Sequence, residues 1–539
     1  MKHAAHAYAW WGLFVLACAA GIWLRVDQLA AQMLIDDEWH AVRKLLDADY
    51  ASIATHFGAS DYCIPLTLYY RWLFEHGVLN EWRMHLPLLV AGVATLFVLP
   101  WLLRHELSLP VRALWIGLLA ISPSLIHFSR MARPYALVVL LGPLAILAFR
   151  AWQREPSTWR RWLPLYIVAT CAAGWLHLLS LVFTLWPFAF YGLAALYGLV
   201  DPATRVRSAR NLVLLCAVGV CVALVLTALL VPPILHDWAS MRVKAGMDSV
   251  TLESLYRTLL MQLGTGHAWL GALLAVALLA GSARLWRRDR EFAALVLSGT
   301  LVGSVVICLA RPVWIQHAPV LLRYTVALLP FLLLLVAEGI AAAIQHVAAP
   351  WNTALTAAII AALAAFGPLP SWYYRPNQFM EHALFQFDYD PEFNPYVQLL
   401  ELGPVPAFYR TLAQRAPGSV TLIEAPRLAI SNYMPEAWYQ PIHRQNVKYA
   451  LVGTVCGVGE WDVLPSTQGM PFKRLVELGD VLAGARRGDY LVLNLTSWTL
   501  PPGETFPAWP DMAACTDKVA ARLGVPLFRD DTIVVWRLR

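Results

Sequence analysis

The sequence has few charged residues. Asp, Glu, Lys and Arg make up 14% of its 539 residues, whereas hydrophobic residues make up 59%. A soluble domain is about a quarter charged, so this shortage excludes an ordinary soluble protein and indicates a polytopic membrane protein. The net charge of +6 does not call for a nucleic-acid partner, because most of the excess basic residues lie in short loops, where they indicate topology.

Several other signatures are missing. None of the eight cysteines has the spacing of a zinc site, and Gly457-Val-Gly459 is too short for a nucleotide-binding loop. There is no internal repeat. Most cysteines fall in apolar segments, whereas Cys456 and Cys515 lie in a late polar region and are candidates for a disulfide if that region faces an oxidising compartment.

Long apolar segments are what the sequence has in abundance. The first, 8–24, is expected to be an uncleaved span; a signal peptide cleaved after Ala17-Cys18-Ala19 is the alternative. Similar segments recur up to residue 369. A span needs about 20 apolar residues, which gives a total of about eleven. The spans at 163–178 and 179–199 meet at a tight turn containing His177.

Basic residues predict the orientation of these spans. Arginines cluster at 150–161, 205–210 and 284–290, all on the side of the N-terminus. The positive-inside rule makes that side cytoplasmic. The loop 25–85 and the C-terminal region are then expected on the opposite side, which in a bacterium is the periplasm. The expected location is therefore the bacterial inner membrane.

The sequence predicts two domains. Residues 1–370 are expected to form a transmembrane domain whose loop 25–85 carries interfacial helices, one of them at 65–74. Residues 371–539 are expected to form a periplasmic soluble α/β domain. Its predicted strands are 419–424, 489–494 and 532–536, and its predicted helices are 396–416 and 511–523.

Asp36-Asp37-Glu38, in the first outer loop, is the most unusual polar stretch. Carboxylates at a helix start are favourable, so capping of a helix that begins near Glu38 is one interpretation. The other is a general base tuned by nearby apolar groups. No metal site is predicted, although three adjacent carboxylates could bind a divalent cation.

Cations recur in the other outer loops. Arg130 and Arg133 lie in a short loop against the positive-inside bias, which suggests an anionic partner. Arg323-Tyr324 opens a late span, and Lys244 lies in the loop 236–266. Lipid-headgroup contacts are the structural alternative for these residues. Carboxylates, cations and aromatic platforms together suit glycosyl transfer from a lipid phosphate.

The order of these motifs resembles a known family. Asp37-Glu38-Trp39-His40 is similar to the Asp-Glu-x-His motif in the first outer loop of protein O-mannosyltransferases and their bacterial relatives, including the aminoarabinose transferases that modify lipid A. These are GT-C fold glycosyltransferases that use polyprenyl-phosphate sugars. The resemblance covers about residues 1–345. It continues through these motifs: Pro65 with Tyr69-Tyr70, Glu81-Trp82-Arg83 with Leu86-Pro87, Ser129-Arg130 with Tyr135, and Arg323-Tyr324 with Leu329-Pro330.

The resemblance implies roles for individual residues. Asp37 would be the catalytic base, with Glu38 beside it. The residues implied at the donor phosphate are Arg83, Lys244, Arg323 and Tyr324. Those expected at the acceptor or elsewhere on the substrate are His40, Arg130, Arg133, Tyr135 and His177.

The loop 127–135 departs from the family pattern. Many relatives have an acidic residue there, whereas this chain has Arg130 and Arg133 instead, which suggests an anionic acceptor. We expect an inverting transfer to a hydroxyl of a glycolipid, lipopolysaccharide or envelope polysaccharide, with no obligatory cofactor and no nucleic acid. A protein acceptor, a lipid or sugar transporter, and a non-catalytic envelope protein on the same scaffold are the alternatives.

Overall fold

The structure is a computed structural model of the chain. It describes residues 2–27, 29, 38, 41, 45, 48–57, 63–76, 78–79, 81–246, 248–348, 351–370, 405–425, 439, 442–449, 489–495 and 512–538. The chain divides into two compact units. The first, the membrane unit, comprises Met1–Asp27, Tyr50–Tyr69 and His85–Pro370. The second comprises Gln28–Asp49, Tyr70–Met84 and Ser371–Arg539.

The described part of the chain up to residue 370 is helical. In chain order the helices are α1 (Lys2–Val26), α2 (Tyr50–Thr55), α3 (Ile64–Glu75), α4 (Glu81–Leu102), α5 (Leu109–Ile121), α6 (Pro123–Ser129), α7 (Tyr135–Arg154), α8 (Trp159–Leu176), α9 (Leu181–Thr184), α10 (Trp186–Gly198), α11 (Arg205–His236), α12 (Trp238–Lys244), α13 (Leu252–Leu263), α14 (Ala268–Arg288), α15 (Arg290–Ala310), α16 (Ala318–Thr325), α17 (Leu329–Ile344) and α18 (Trp351–Phe366). Short 3-10 turns occupy Pro156–Thr158, Leu178–Ser180 and Val326–Leu328.

The prediction of a multi-pass helical membrane protein is confirmed. Within the described residues, eight helical segments are long and apolar enough to cross a membrane, and the bent pair α5–α6 makes nine. The apolar α18 is shorter, at 16 residues, and α8 has 18 residues with two arginines near its start. The total of about eleven spans requires counting both of them and stays a prediction.

Prolines shape the predicted spans 111–127 and 323–345. Pro123 supplies no backbone N–H to α5, so the helix ends at Ile121 and α6 continues at an angle of 58°. Pro330 lies at the start of α17, and the residues before it form the 3-10 turn Val326–Leu328. Both breaks leave a short helix, α6 or α16, at one end of the membrane unit, which we call the outer end. The sequence predicts this end to be periplasmic.

Two glycines let α14 and α17 cross at very short range. A Cβ added to Gly281 would lie 1.8 Å from the Leu335 carbonyl oxygen, and one added to Gly339 would lie 1.9 Å from that of Ala277. Small residues allow this close approach between membrane helices. The crossing brings the fully buried Glu338 to 2.6 Å from Arg288 and 3.3 Å from Arg284.

A second ion-pair cluster lies at the carboxyl end of α7, beside the turn between α14 and α15. The Arg150 guanidinium, 2% exposed, donates to Glu106 at 2.7 Å and to Asp289 at 2.6 Å. Arg154 contacts the same two carboxylates. Arg150 and Arg154 therefore hold these helix ends together. Glu338 likewise has arginine partners within the protein, whereas a transport pathway would be expected to have isolated ionisable residues in the middle of spans.

The second unit contains a mixed five-stranded sheet. Its described elements are α19 (Ala407–Leu412), β1 (Thr421–Ala425), β2 (Asn446–Tyr449), β3 (Tyr490–Asn494), α20 (Met512–Leu523), β4 (Phe528–Arg529) and β5 (Ile533–Arg537). The strand order is β2-β1-β3-β5-β4. Strands β2, β1 and β3 are parallel, whereas β5 runs antiparallel to β3 and β4. All three predicted strands and the predicted helix 511–523 are confirmed. In the predicted helix 396–416, the described residues form a helix only at α19.

A buried carboxylate ties α19 to this sheet. Tyr409 donates its hydroxyl to Glu424 at 3.0 Å, and the Asn494 side-chain amide donates to the same carboxylate at 3.0 Å. Cys515 is disulfide-bonded, while its predicted partner, Cys456, lies outside the described residues.

The predicted interfacial helix 65–74 is present as α3. Tyr70 and Leu73 are buried while Trp72 is 48% exposed, which is the amphipathic arrangement expected of such a helix. Arg71 donates to the Leu45 carbonyl at 2.8 Å. Helix α3 therefore contacts Leu45 of the loop 25–85.

We predict that Gly281→Ala destabilises the protein and that the same substitution at Gly192 does not. Gly281 has no room for a methyl group, so α14 and α17 must separate, at a cost of about 1–3 kcal/mol. A Cβ at Gly192, in α10, meets no atom within 4 Å, and Ala favours a helix by about 0.5–1 kcal/mol. Thermal unfolding in the same detergent should show a lower midpoint for Gly281→Ala alone. Equal midpoints would rule out the tight crossing.

Candidate anion-binding site

Two buried arginines fix the segment that leads into the site. Arg25, 1% exposed, donates to the carbonyls of Leu119 and Ala120 in the last turn of α5, at 3.0 and 3.1 Å. Arg130 donates to the carbonyls of Leu24 and Asp27 at the end of α1, at 3.1 and 2.7 Å. Arg25 of α1 thus caps the carboxyl end of α5, and Arg130, which follows α6, caps the carboxyl end of α1. The last carbonyls of a helix lack helical partners, and the helix dipole favours a cation there.

Arg25 also holds the α5–α6 break. Its Nε donates to the Ser129 hydroxyl at 3.2 Å. Ser129 packs so closely on Gly92 of α4 that a Cβ there would lie 2.0 Å from the Ser129 hydroxyl oxygen. The loop 130–134, which begins after Ser129, therefore starts from a position fixed by α1, α4 and α5.

Helix α13 links this segment to α16. It begins with a capping box between Thr251 and Ser254 and ends at Gly264 in the left-handed region, φ 81°. On one side the Ser124 hydroxyl of α6 donates to the Met261 carbonyl at 3.0 Å. On the other, Gln262 donates to the Thr325 hydroxyl of α16 at 2.9 Å. The helices next to Arg133 and Arg323 are thus braced by the same element.

His177 lies between two tyrosines at the outer end. It follows α8 in extended conformation, with φ −156°, and its ring centroid is 5.8 Å from that of Tyr135 and 5.9 Å from that of Tyr324. Tyr135 begins α7 two residues after Arg133, and Tyr324 directly follows Arg323. The structure therefore assembles five predicted site residues from three separate segments.

The electrostatics of His177 agree with this arrangement. Burial, and then the positive charges of Arg133 and Arg323, together lower the pKa of the imidazole to about 4. Arg323 acts in the same direction on His317, whose pKa is lowered by burial while Asp248 opposes the shift. The cluster therefore holds two guanidinium groups beside an imidazole that is neutral at physiological pH.

The two predicted groups of substrate-binding residues meet at this cluster. Arg133, Tyr135 and His177 are predicted acceptor or substrate contacts, whereas Arg323 and Tyr324 are predicted contacts of the donor phosphate. The structure therefore groups predicted acceptor contacts with predicted donor-phosphate contacts, and the charges of Arg133 and Arg323 act on the same imidazole. Arg130, from the same loop, instead uses its guanidinium on backbone carbonyls of α1.

Lys244 and Arg83 have other surroundings. Burial lowers the pKa of Lys244 and Asp237 opposes this shift; Asp237 also accepts the Phe57 backbone N–H at 2.5 Å. Arg83 is exposed and donates to the Val78 carbonyl at 2.7 Å. Their predicted contact with the donor phosphate stays a prediction.

Of the acidic motif, the structure describes Glu38 alone. This residue belongs to the second unit and is 1% exposed. Asp36, Asp37 and His40 lie outside the described residues. Sequence reasoning missed Arg25, which looked like an ordinary basic flank of the first span. Its signal was its place, since it stands on the predicted outer side, where such flanks are disfavoured.

The cluster is suited to a phosphate. Two guanidinium groups give directional, charge-assisted hydrogen bonds to phosphate oxygens, and they are stronger where water is scarce. Two phenol rings supply further donors and faces on which an apolar or sugar group can lie. Among the described residues, no group of three His, Cys, Asp or Glu side chains is placed to bind a metal ion.

Comparisons with known proteins found similar solved structures. No protein-family model and no curated protein sequence matches the chain. ArnT from Cupriavidus metallidurans bound to undecaprenyl phosphate is 12% identical, with 98% of each chain covered and a TM-score of 0.43. Its apo state is 14% identical, with 99% of this chain and 98% of that chain covered and a TM-score of 0.44.

An archaeal oligosaccharyltransferase is also similar. AglB from Archaeoglobus fulgidus, in complex with an inhibitory peptide and a dolichol-phosphate, is 12% identical over 91% of this chain and 70% of that chain, with a TM-score of 0.38. With TM-scores below 0.5, none of these likenesses carries an argument about fold or activity. The site is therefore defined by the chain's own residues.

We predict that Arg323→Gln raises the pKa of His177 but leaves it below the 6.5 of a free imidazole. The substitution removes one of two repelling charges, while burial, the larger cause, remains. Histidine-selective NMR titration, with the signal identified from a His177→Gln sample, measures the change. Arg242→Gln, at an exposed position of α12, is the matched control and should leave the titration unchanged. An unaltered titration in Arg323→Gln would separate Arg323 from the cluster.

Proposed function

We propose that this chain is an integral membrane glycosyltransferase of the GT-C type, which transfers a sugar from a polyprenyl-phosphate carrier to an acceptor hydroxyl. The observation that carries this proposal is the cluster of Arg133, Tyr135, His177, Arg323 and Tyr324 at one end of a membrane unit. A paired-arginine anion site at the end of membrane helices suits a phosphate whose hydrocarbon tail lies in the bilayer.

The sequence motifs supply the rest of the proposed reaction. Asp37 acts as general base and takes the proton of the acceptor hydroxyl. The hydroxyl oxygen attacks the anomeric carbon from the face opposite the phosphate, and the bond from that carbon to the phosphate oxygen breaks. Its electron pair stays on the phosphate. Arg133 and Arg323 stabilise the charge that develops there, and one displacement inverts the anomeric configuration.

We propose the bacterial inner membrane as the location, with the outer end facing the periplasm. The distribution of basic residues supports this orientation. The disulfide-bonded Cys515 supports it independently for the C-terminal region, because disulfides persist in oxidising compartments and are rare in the cytosol.

For the acceptor, we propose a hydroxyl of a glycolipid, lipopolysaccharide or envelope polysaccharide. The arginines of the loop 127–135 suggested an anionic acceptor, but Arg133 lies with Arg323 and Arg130 caps α1. Both are therefore accounted for without an anionic acceptor, and a neutral one fits equally well. Mass spectrometry of envelope glycolipids and polysaccharides, with and without the gene, identifies the product.

We predict that Asp37→Asn reduces transfer about 10²–10⁴-fold, because the amide cannot accept the hydroxyl proton. The assay uses purified protein in lipid nanodiscs, a panel of radiolabelled polyprenyl-phosphate hexoses and pentoses, and envelope extract as acceptor. Asp36→Asn is the matched control, with the same change one residue away and no assigned role. Full transfer by Asp37→Asn would remove the proposed base, and a wild-type protein inactive on every donor would contradict the function.

We predict that Arg323→Gln weakens binding of a polyprenyl phosphate about 10- to 100-fold, since one charge-assisted hydrogen bond contributes about 1.5–3 kcal/mol. Arg242→Gln controls for the loss of a positive charge at the membrane surface and should bind within twofold of wild type. Fluorescence competition in nanodiscs measures both. Equal weakening by the two variants would indicate unspecific attraction of the lipid and no phosphate site at Arg323.

A further inference from the structure

The loop 311–317, which joins α15 to α16 at the outer end, has a strained backbone. Arg311 and Trp314 have φ angles of 47° and 64°, in the left-handed region that bulky side chains rarely adopt. Such conformations persist only where surrounding contacts hold them, and they concentrate at binding and catalytic sites. Ile315 is fully buried and anchors the loop, whereas Trp314 is 60% exposed. The strained turn thus presents an indole at the surface.

Backbone and side-chain contacts from a second outer loop hold this turn. The Trp314 backbone N–H donates to the Asp248 carboxylate at 2.5 Å, and Arg311 donates its Nε–H to the Asp248 carbonyl at 3.0 Å. The Val313 backbone N–H donates to the Lys244 carbonyl at 3.0 Å. Lys244 is one of the residues predicted to contact the donor, so the turn is fixed beside a segment already expected near the substrate.

Two side chains of the loop are suited to a sugar ring. The Trp314 indole offers a broad apolar face on which the C–H face of a sugar can lie. The Oε1 atom of Gln316 is buried and, among the described residues, has no hydrogen-bond partner. A buried polar atom without a partner is costly. A sugar hydroxyl both donates and accepts, so it can satisfy either end of the carboxamide.

His317 connects this loop to the cluster around His177. Its ring centroid lies 5.7 Å from that of Trp314, and its imidazole experiences the positive charge of Arg323. Arg323 follows it by six residues, which is about 9 Å along a helix axis. The same charge acts on His177. A sugar attached to a phosphate at Arg323 is therefore within reach of the loop.

We propose that the loop 311–317 is the subsite for the sugar of the donor, in which Trp314 stacks on the ring and Gln316 hydrogen-bonds to one of its hydroxyls. This inference rests on the proposed function and adds to it the residues that bind the transferred group. A tryptophan that only anchored the protein at the membrane interface would need neither a strained backbone nor a buried carboxamide beside it.

Competition binding in nanodiscs tests this subsite. The probes are a panel of polyprenyl-phosphate hexoses and pentoses, with their amino derivatives, and methyl polyprenyl phosphate, a diester of the same charge without a sugar. Wild-type protein should bind at least one sugar lipid more tightly than the methyl diester. Trp314→Ala should lower the affinity for that sugar lipid about tenfold, because the apolar contact is lost, and should bind the methyl diester within about twofold of wild type.

Three further variants make the test specific. Trp314→Phe keeps an aromatic face and should retain the sugar-lipid affinity within about threefold. Gln316→Leu leaves the strained residue untouched, so it tests the subsite even if Trp314→Ala does not fold. It should weaken only the sugar lipid, about 3- to 10-fold, for the loss of one hydrogen bond. Trp238→Ala, at a position of α12 that is 55% exposed, is the matched control and should change neither affinity.

The outcomes separate the two proposals. Equal affinity of wild-type protein for the methyl diester and for every sugar lipid overturns the subsite and leaves the phosphate site intact. Equal weakening of both kinds of lipid by Trp314→Ala, or equal effects of Trp314→Ala and Trp238→Ala, assigns Trp314 to membrane anchoring and also overturns the subsite. If wild-type protein binds neither kind of lipid, the proposed function fails and the subsite fails with it.

Discussion

The outer end of the membrane unit depends on one constraint, which is that a guanidinium group buried among apolar helices needs hydrogen-bond acceptors. Desolvating an unpaired charge is expensive, and carboxylates in such surroundings need compensation of their own. The last carbonyls of a helix are acceptors already present, and they have no helical donor. Arg25 and Arg130 use them reciprocally on α5 and α1. The same contacts that satisfy the arginines lock α1 to the α5–α6 break.

The opposite end solves the same problem with carboxylates. Arg150 shares Glu106 and Asp289 with Arg154, and Glu338 lies between Arg284 and Arg288. There the cations have anionic partners within the protein, and the ends of the helices are held in fixed relation. At the outer end, Arg133 and Arg323 converge on a neutral imidazole flanked by phenol rings. Two guanidinium groups beside phenol rings are suited to an external anion such as a phosphate.

Local patterns in the sequence were sufficient to predict the architecture. Apolar runs identify the membrane segments, and alternation of short apolar strands with polar helices identifies the sheet of the second unit. The breaks at Pro123 and Pro330 were also readable, since a proline removes a helical hydrogen bond wherever it falls. The α14–α17 crossing was not, because a glycine in an apolar segment does not reveal which helix approaches it.

The sequence predicted which residues belong to the site, but it did not predict which of them lie together. Arg133, Tyr135, His177, Arg323 and Tyr324 stood out as polar or aromatic residues beside predicted spans, but their convergence is set by contacts between segments far apart in sequence. Arg130 and Arg133 look equivalent in the sequence, three residues apart in one loop. Only the packing of α1 against α5 separates them, giving Arg130 to backbone carbonyls and leaving Arg133 beside His177.

The neutrality of His177 has a consequence for the pH dependence of stability. The unfolded chain protonates this imidazole near pH 6.5, whereas the folded chain does so near pH 4. Folding is therefore opposed by protons between these values, and the stability contributed by this group is lost as pH falls through that window. Burial beside two guanidinium groups thus makes the folded cluster sensitive to acid.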